Sequence, residues 1–266
     1  MENVRPTAVA GLFYPADANV LSDMVNKELA QATVPVEGHI PKALIVPHAG
    51  YIYSGEIAAS AYSYLKSVQH TIKHVVIIGP SHRVAFNGLA LSSADYFTTP
   101  LGRIRCDKQA QQKLAHINGV LVSDQAHAAE HSLEVQLPFL QQSLDDFSII
   151  PIVAGNASPE LVAQVIETLW GGSETLIIIS SDLSHFHDYQ TAQQLDSVTS
   201  QAIVDLDYDA IHSANACGCI AVNGLLKFAH RHKLTPTLVD LRNSGDTAGS
   251  KDSVVGYGAY LFEEGT

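Results

Sequence analysis

Three apolar runs in this chain continue without polar alternation, and each breaks off at a histidine. They are Ala43-Leu44-Ile45-Val46-Pro47-His48, Val75-Val76-Ile77-Ile78-Gly79-Pro80-Ser81-His82 and Leu176-Ile177-Ile178-Ile179-Ser180-Ser181-Asp182-Leu183-Ser184-His185. A continuous β-branched run suits a strand covered on both faces. Pro80 lacks a backbone donor, so the second ladder is expected to end there. Residues just past the carboxyl end of a buried strand sit where open α/β sheets place their ligand crevice. The shared pattern predicts strands that converge on one polar site.

Elsewhere the spacing switches between strand and helix periods. Residues 4–16, with Gly11, Phe13, Tyr14 and Pro15, read as an irregular entry with aromatic anchors. Asp17 is expected to cap a helix running to Ala32, with Leu21, Met24, Val25 and Leu29 near 3.6 spacing. Residues 34–41 read as a loop. Strand 43–46 is followed by a connecting loop 51–55, and Ser54 is the expected N-cap of a helix 56–67. With strand 74–79 this makes a βαβ unit. A short strand 88–91, a hairpin or ordered loop 95–105, a helix 107–116 capped by Asp107 and a strand 120–122 come next. Residues 130–144 read as one helix, which Pro138 bends or restarts. Strand 147–153 precedes a helix 159–170 with Ser158 at N-cap and Pro159 at N1, ended by Gly171-Gly172. Strand 175–180, helices 189–205 and 207–213, a helix from 217–219 to 232 and strands 236–242 and 254–262 complete the chain. Strands alternating with helices predict an α/β fold: one domain over residues 1–266, with a sheet flanked by helix layers. The late hairpin predicts that this sheet is mixed.

Composition narrows the function. Of 266 residues, 46% are hydrophobic and only 16% charged, a globular and enzyme-like balance. The formal net charge of −12 argues against nucleic acid, whose phosphates need clustered Lys and Arg. No apolar stretch of about 18 residues predicts a membrane span, and no secretory pattern is visible across residues 1–15. Cys106, Cys217 and Cys219 make neither a disulfide framework nor a zinc knuckle. The expectation is a cytoplasmic protein with reduced thiols.

Chemistry concentrates at the strand ends. Neutral imidazole is the commonest protein ligand for Fe, Zn, Cu and Ni, and His48 and His82 on adjacent rigid strand ends could take one face of an ion. A carboxylate from elsewhere would complete a two-histidine, one-carboxylate site. Asp182 and His185 share a face if their segment is helical; His185 is the expected acid/base group, with Asp182 as its orienter or a metal neighbour. His131 and Glu134, in Glu130-His131-Ser132-Leu133-Glu134, line the same crevice or decorate a solvated first helical turn. Tyr51 and Tyr53 form an aromatic wall for a small ring-shaped substrate, or serve as packing anchors.

These blocks resemble the Memo family. The resemblance is carried by Pro47-His48-Ala49-Gly50-Tyr51-x-Tyr53-x-Gly55, Gly79-Pro80-Ser81-His82, Glu130-His131-Ser132-Leu133-Glu134-Val135-Gln136-Leu137-Pro138 and Ser180-Ser181-Asp182-Leu183-Ser184-His185. The opening Arg5-Pro6 to Ala10-Gly11-x-Phe13-Tyr14-Pro15 also matches, so the resemblance covers essentially the whole chain. Prokaryotic members are known as AmmeMemoRadiSam system protein B, which implies AMMECR-type and radical-SAM proteins as partners. The resemblance implies a class III extradiol dioxygenase-like fold. Those enzymes hold Fe(II) on two histidines and a carboxylate, and they cleave catechol rings with a pocket histidine as acid/base. His48 and His82 match the two histidine positions; Asp182 and His185 match further polar residues.

One position departs from the family pattern. Eukaryotic members bring a cysteine from the loop before the last strand, where an ungapped match puts Thr247, and no cysteine follows Cys219. The neighbouring Asp246 is either the anionic ligand or a turn cap beside Gly245, with Asp182 as the alternative ligand. The reading is therefore a Memo-type metal protein with an iron, dioxygenase-like site acting on a small catechol-like substrate. Two others compete with it: a zinc-dependent hydrolase using the same ligands, with copper a further metal for the site, and a non-catalytic pocket or docking surface.

Overall fold

Side chains along a strand alternate between its two faces, and here both faces are buried. Leu44, Val46, Val75, Ile77, Leu176 and Ile178 enter one hydrophobic core. Their neighbours Ala43, Ile45, Val76, Ile78, Ile177 and Ile179 enter a second core on the opposite side. This two-sided burial is why the runs lack polar alternation.

A computed structural model describes residues 2–32 and 40–265. In chain order the elements are β1 (Val4–Arg5), α1 (Ala18–Gln31), β2 (Ala43–Val46), α2 (Tyr51–Tyr62), β3 (His74–Pro80), β4 (Leu89–Leu91), β5 (Tyr96–Thr99) and β6 (Gly102–Cys106). There follow α3 (Lys108–Leu114), β7 (Val120–Val122), α4 (Asp124–Ala128), α5 (Leu137–Ser143), β8 (Ser148–Ala154), α6 (Pro159–Leu169) and β9 (Thr175–Ser180). The chain closes with β10 (His185–His187), α7 (Tyr189–Val204), α8 (Cys219–His232), β11 (Thr235–Asn243) and β12 (Val254–Glu263). The 12-stranded sheet runs β1-β5-β6-β8-β3-β9-β2-β12-β10, with β11 on β12, and β4 joining β8 to β7. Neighbours among β8, β3, β9 and β2 pair in parallel, and β12 pairs antiparallel to β2, so the sheet is mixed as expected. Helices α1, α2 and α5 cover one face; α3, α6, α7 and α8 cover the other.

Capping explains several boundaries. Asp17, Asp107 and Ser158 each accept backbone N–H bonds at the starts of α1, α3 and α6, as their sequence positions predict. Other boundaries differ. Helix α2 starts at Tyr51, with Gly50 as its N-cap, instead of after a loop. The Tyr51 N–H donates to Phe13 O, and Ser54, the expected cap, lies inside the helix with its hydroxyl donating to Ala49 O. Residues 130–133 are not helical, because Glu130 folds back onto the N–H groups of His131 and Ser132. A short 3-10 turn and α5 follow, with Pro138 in the first turn of α5, and α4 is an additional short helix. The expected helix 207–213 is a series of turns, entered through Leu206 in the left-handed region at φ 57°. Of the expected loop 34–41, residues 34–39 lie outside the described residues. Among the described residues no helix is long and apolar enough to cross a membrane.

Candidate metal centre

Strands β3, β9 and β2 lie side by side and in parallel, so their carboxyl ends open on the same edge of the sheet. Val46 is in register with Ser180, which puts the loop carrying His48 beside the loop carrying Asp182. His48 is 2% exposed. Its backbone N–H donates to Asp182 Oδ1 at 2.7 Å, and its Nδ1 lies 2.9 Å from Ser180 Oγ.

The bonding of Ser180 fixes the His48 tautomer. The serine hydroxyl donates to Ser132 O at 2.6 Å and accepts from Gln136 Nε2 at 2.9 Å. Its single proton is used, so His48 Nδ1 must be the donor in their contact. The lone pair therefore sits on His48 Nε2, which lies 3.2 Å from Cys217 Sγ.

His82 is fixed in the same sense by Glu130. That carboxylate accepts the His82 backbone N–H at 2.6 Å and contacts its Nδ1 at 2.9 Å. It also takes the N–H groups of His131 and Ser132, each at 2.9 Å. Burial alone would raise the Glu130 pKa, but the bonds from the His82 ring and these backbone groups bring it down to about 2. An ionised carboxylate only accepts, so His82 Nδ1 donates and Nε2 keeps the lone pair.

His131 joins the pair. Its ring stacks on His82, with centroids 4.5 Å apart, and packs against Phe13 at 4.7 Å. Its buried Nδ1 has no hydrogen-bond partner. One ring nitrogen from each of His48, His82 and His131 lies within 4.8 Å of the others, a spacing that could hold a metal ion. Burial lowers the His48 pKa to about 3, helped by His82, and lowers that of His131 to about 4, helped by His48. Both rings are neutral near pH 7, the state in which imidazole binds a metal.

The cluster forms one wall of a cleft of about 470 Å³. Phe13, Tyr53, Asp182, His185 and Tyr257 also line it, with Ser244, Gly249, Ser250 and Ser253. Asp182 is buried, and burial raises its pKa although the His48 N–H bond acts against the rise. Residues 181–184 are not helical, so Asp182 and His185 share no helical face. His185 begins β10, paired with Val255 of β12.

Three of the predicted residues have other partners. Asp246, expected as the third ligand, is not in the histidine cluster: it closes a capping box by accepting the Asn243 N–H at 2.9 Å, and it accepts from the Tyr189 hydroxyl. The adjacent Thr247 hydroxyl donates to Tyr53 O at 2.8 Å. Glu134 is fully buried away from the cleft lining, pairing with Arg5 and accepting from Tyr14 OH and the N–H groups of Ala8 and Val9. It anchors the N-terminal segment that carries Phe13. Tyr51 is a packing anchor whose hydroxyl donates to Val135 O at 2.6 Å.

Sequence reasoning missed Glu130 and Ser180 as orienters of the two imidazoles, and Cys217 as a neighbour of His48. Ser180 carried a usable signal, as a polar residue ending a buried strand beside the one that leads to His48.

A family model described as Memo-like protein matches residues 5–261. The chain is similar to MEMO1 family proteins of Ignicoccus hospitalis (35% identity, covering 97% of this chain and 98% of the relative) and Archaeoglobus fulgidus (35%, covering 97% and 99%). It is also similar to a MEMO1 family protein of Aquifex aeolicus, at 33% identity over 97% of this chain and 99% of the relative.

Proposed function

This chain belongs to the Memo family, and we propose on that premise that it is a mononuclear metal protein. His48, His82 and His131 hold the ion, with Fe(II) the native metal and a small catechol-like molecule the substrate. One observation carries the reading: two imidazoles, the buried His48 and the exposed His82, are held as Nδ1–H donors by Ser180 and Glu130, with Nε2 lone pairs free, beside a third ring. An outer partner that fixes tautomer and ring orientation is the usual device of metal-binding histidines. The donor set fits the group: all three rings are imidazoles, and His131 has a buried nitrogen that makes no hydrogen bond, with Glu130 Oε1 3.4 Å away.

Bound Fe(II) supplies redox chemistry and open coordination positions for substrate and dioxygen. The protein's residues do the rest. A cleft of about 470 Å³ suits a single aromatic ring with its substituents. Tyr53 and Phe13 form apolar walls for that ring. His185, in the same wall, takes or returns a proton at a substrate hydroxyl. Asp182 fixes the His48 backbone and adds a proton-holding group to the cleft.

The test is metal analysis of protein purified without chelator, followed by dioxygen uptake with a panel of catechols. Wild type is expected to hold about one ion per chain and His48→Ala/His82→Ala close to none, with turnover lost in His185→Ala. Equal metal content in wild type and the double variant would reject the site. Equal rates in wild type and His185→Ala would reject the role of His185. A second reading is favoured by the third histidine: three imidazoles plus water is a zinc-hydrolase donor set. Turnover that persists under strict anaerobiosis would decide for it.

A further inference from the structure

Phe186 is a bulky residue held in the left-handed region, at φ 63°. Among the described residues, Leu206 and Lys233 are the other non-glycine residues with positive φ. Both sit where a helix ends, α7 and α8, the usual place for a left-handed residue. Phe186 ends no helix. It is the middle residue of β10, where a side chain of this size rarely takes a positive φ.

Its backbone belongs to a β-bulge. His185 lies opposite Val255 of β12 and His187 opposite Val254, so three residues of one strand face two of the other, and Phe186 is the extra one. Val255 and Val254 are adjacent and point to opposite faces; the first lines the cleft and the second is buried. The bulge therefore keeps His185 on the cleft side, puts His187 on the other, and leaves Phe186 79% exposed. The Phe186 ring meets the His185 ring edge-on, with centroids 5.7 Å apart. Backbone strain and an exposed phenyl both cost stability, and burial offsets neither. Strained residues of this kind cluster at active sites and ligand clamps.

We propose that Phe186 is a specificity-determining residue, an aromatic lip that takes an apolar substituent of the substrate projecting past His185. This role rests on the reading of the cleft as a catechol site. Phe186 stands outside the residues that line the cleft, next to one that does, so it reaches a substituent and not the catechol ring itself. Contact with the phenyl removes apolar surface of both partners from water.

The experiment uses the full chain loaded with Fe(II) and titration calorimetry under strict anaerobiosis, with catechol and 4-tert-butylcatechol as probes. Wild type is expected to bind the tert-butyl compound more tightly. Phe186→Gly is expected to lower the ratio of the two affinities by about tenfold, the scale of a small hydrophobic contact. Phe186→Tyr keeps the ring and should keep the ratio, as should Val198→Ala at an exposed apolar position on α7. Glycine adopts a φ of 63° without steric cost, so Phe186→Gly should unfold at the same or a higher urea concentration than wild type. A ratio unchanged in Phe186→Gly, or one that falls as far in Phe186→Tyr or Val198→Ala, would overturn the role of Phe186 and leave the catechol reading standing. A lower urea midpoint for Phe186→Gly would assign the ring to folding and overturn the role as well. Binding of neither probe to wild type would overturn both the role and the catechol reading.

Discussion

Ser180 does more for the site than its size suggests. One hydroxyl collects the His48 ring, the Gln136 amide and the Ser132 carbonyl, and so decides which His48 nitrogen faces the cleft. Ser180→Ala leaves the buried His48 Nδ1–H without its acceptor. The expected outcome is a loss of metal affinity of about 10–100-fold, the usual effect of removing an outer partner of a ligand. Unpairing a buried donor should also lower stability by about 1–3 kcal/mol. Competition against a chromophoric chelator measures the first and urea unfolding the second; unchanged affinity would mean the ring is oriented by packing alone. At this scale the sequence exposed the histidines and hid their orienters. His48 and His82 stand out because each ends an apolar run. Glu130 looks like any acidic residue at a helix start, and only its fold-back onto His82 reveals its role.

Between elements, the contact of α1 with α2 turns on Glu28. This side chain is 8% exposed and its Oε2 has no hydrogen-bond partner. It lies against Gly55, where a Cβ would come within 2.5 Å of that oxygen. Burial raises its pKa to about 8, Glu56 adds to the rise, and Lys27 opposes it. Between about pH 4.5 and about 8 the unfolded chain is ionised here while the folded chain holds the proton. The folded state then binds more protons, so this residue makes stability fall as pH rises through that window. Glu28→Gln keeps the shape and removes the titration. It is expected to flatten this part of the pH dependence and to stabilise the protein by a few kcal/mol, on the order of 3, at pH 8. Urea unfolding of both proteins at pH 5 and pH 8 checks the sign. Helix starts with an oxygen-bearing cap were legible because the cap is local chemistry. The helix expected over 130–144 failed because its first residues satisfy their backbone through Glu130, and apolar spacing at Leu133, Leu137 and Leu140 does not register that.

For the whole molecule, the sheet between two cores has a measurable signature. Ile177 and Ile178 are adjacent on β9, fully buried, and belong to opposite cores. Ile177→Ala and Ile178→Ala should each cost about 2–5 kcal/mol. A sheet with one wet face would show a large loss at only one of the two, so unequal urea-unfolding losses of that kind would contradict the layering. This architecture was readable because uninterrupted β-branched runs have few other uses. The order of the strands was not, since the neighbours of β3 are β8 and β9, from far along the chain, and nothing local encodes that choice.

That long-range order has a thermodynamic consequence. His48, His82 and His131 come from segments that meet only when the sheet is assembled, so the disordered chain offers no equivalent site. An ion bound there is a ligand of the native state alone. By mass action it would deepen the native well by about 2.7 kcal/mol at a free concentration one hundred times its dissociation constant. The supply of that ion would then set how much of the protein persists as native molecules, quite apart from any reaction it serves.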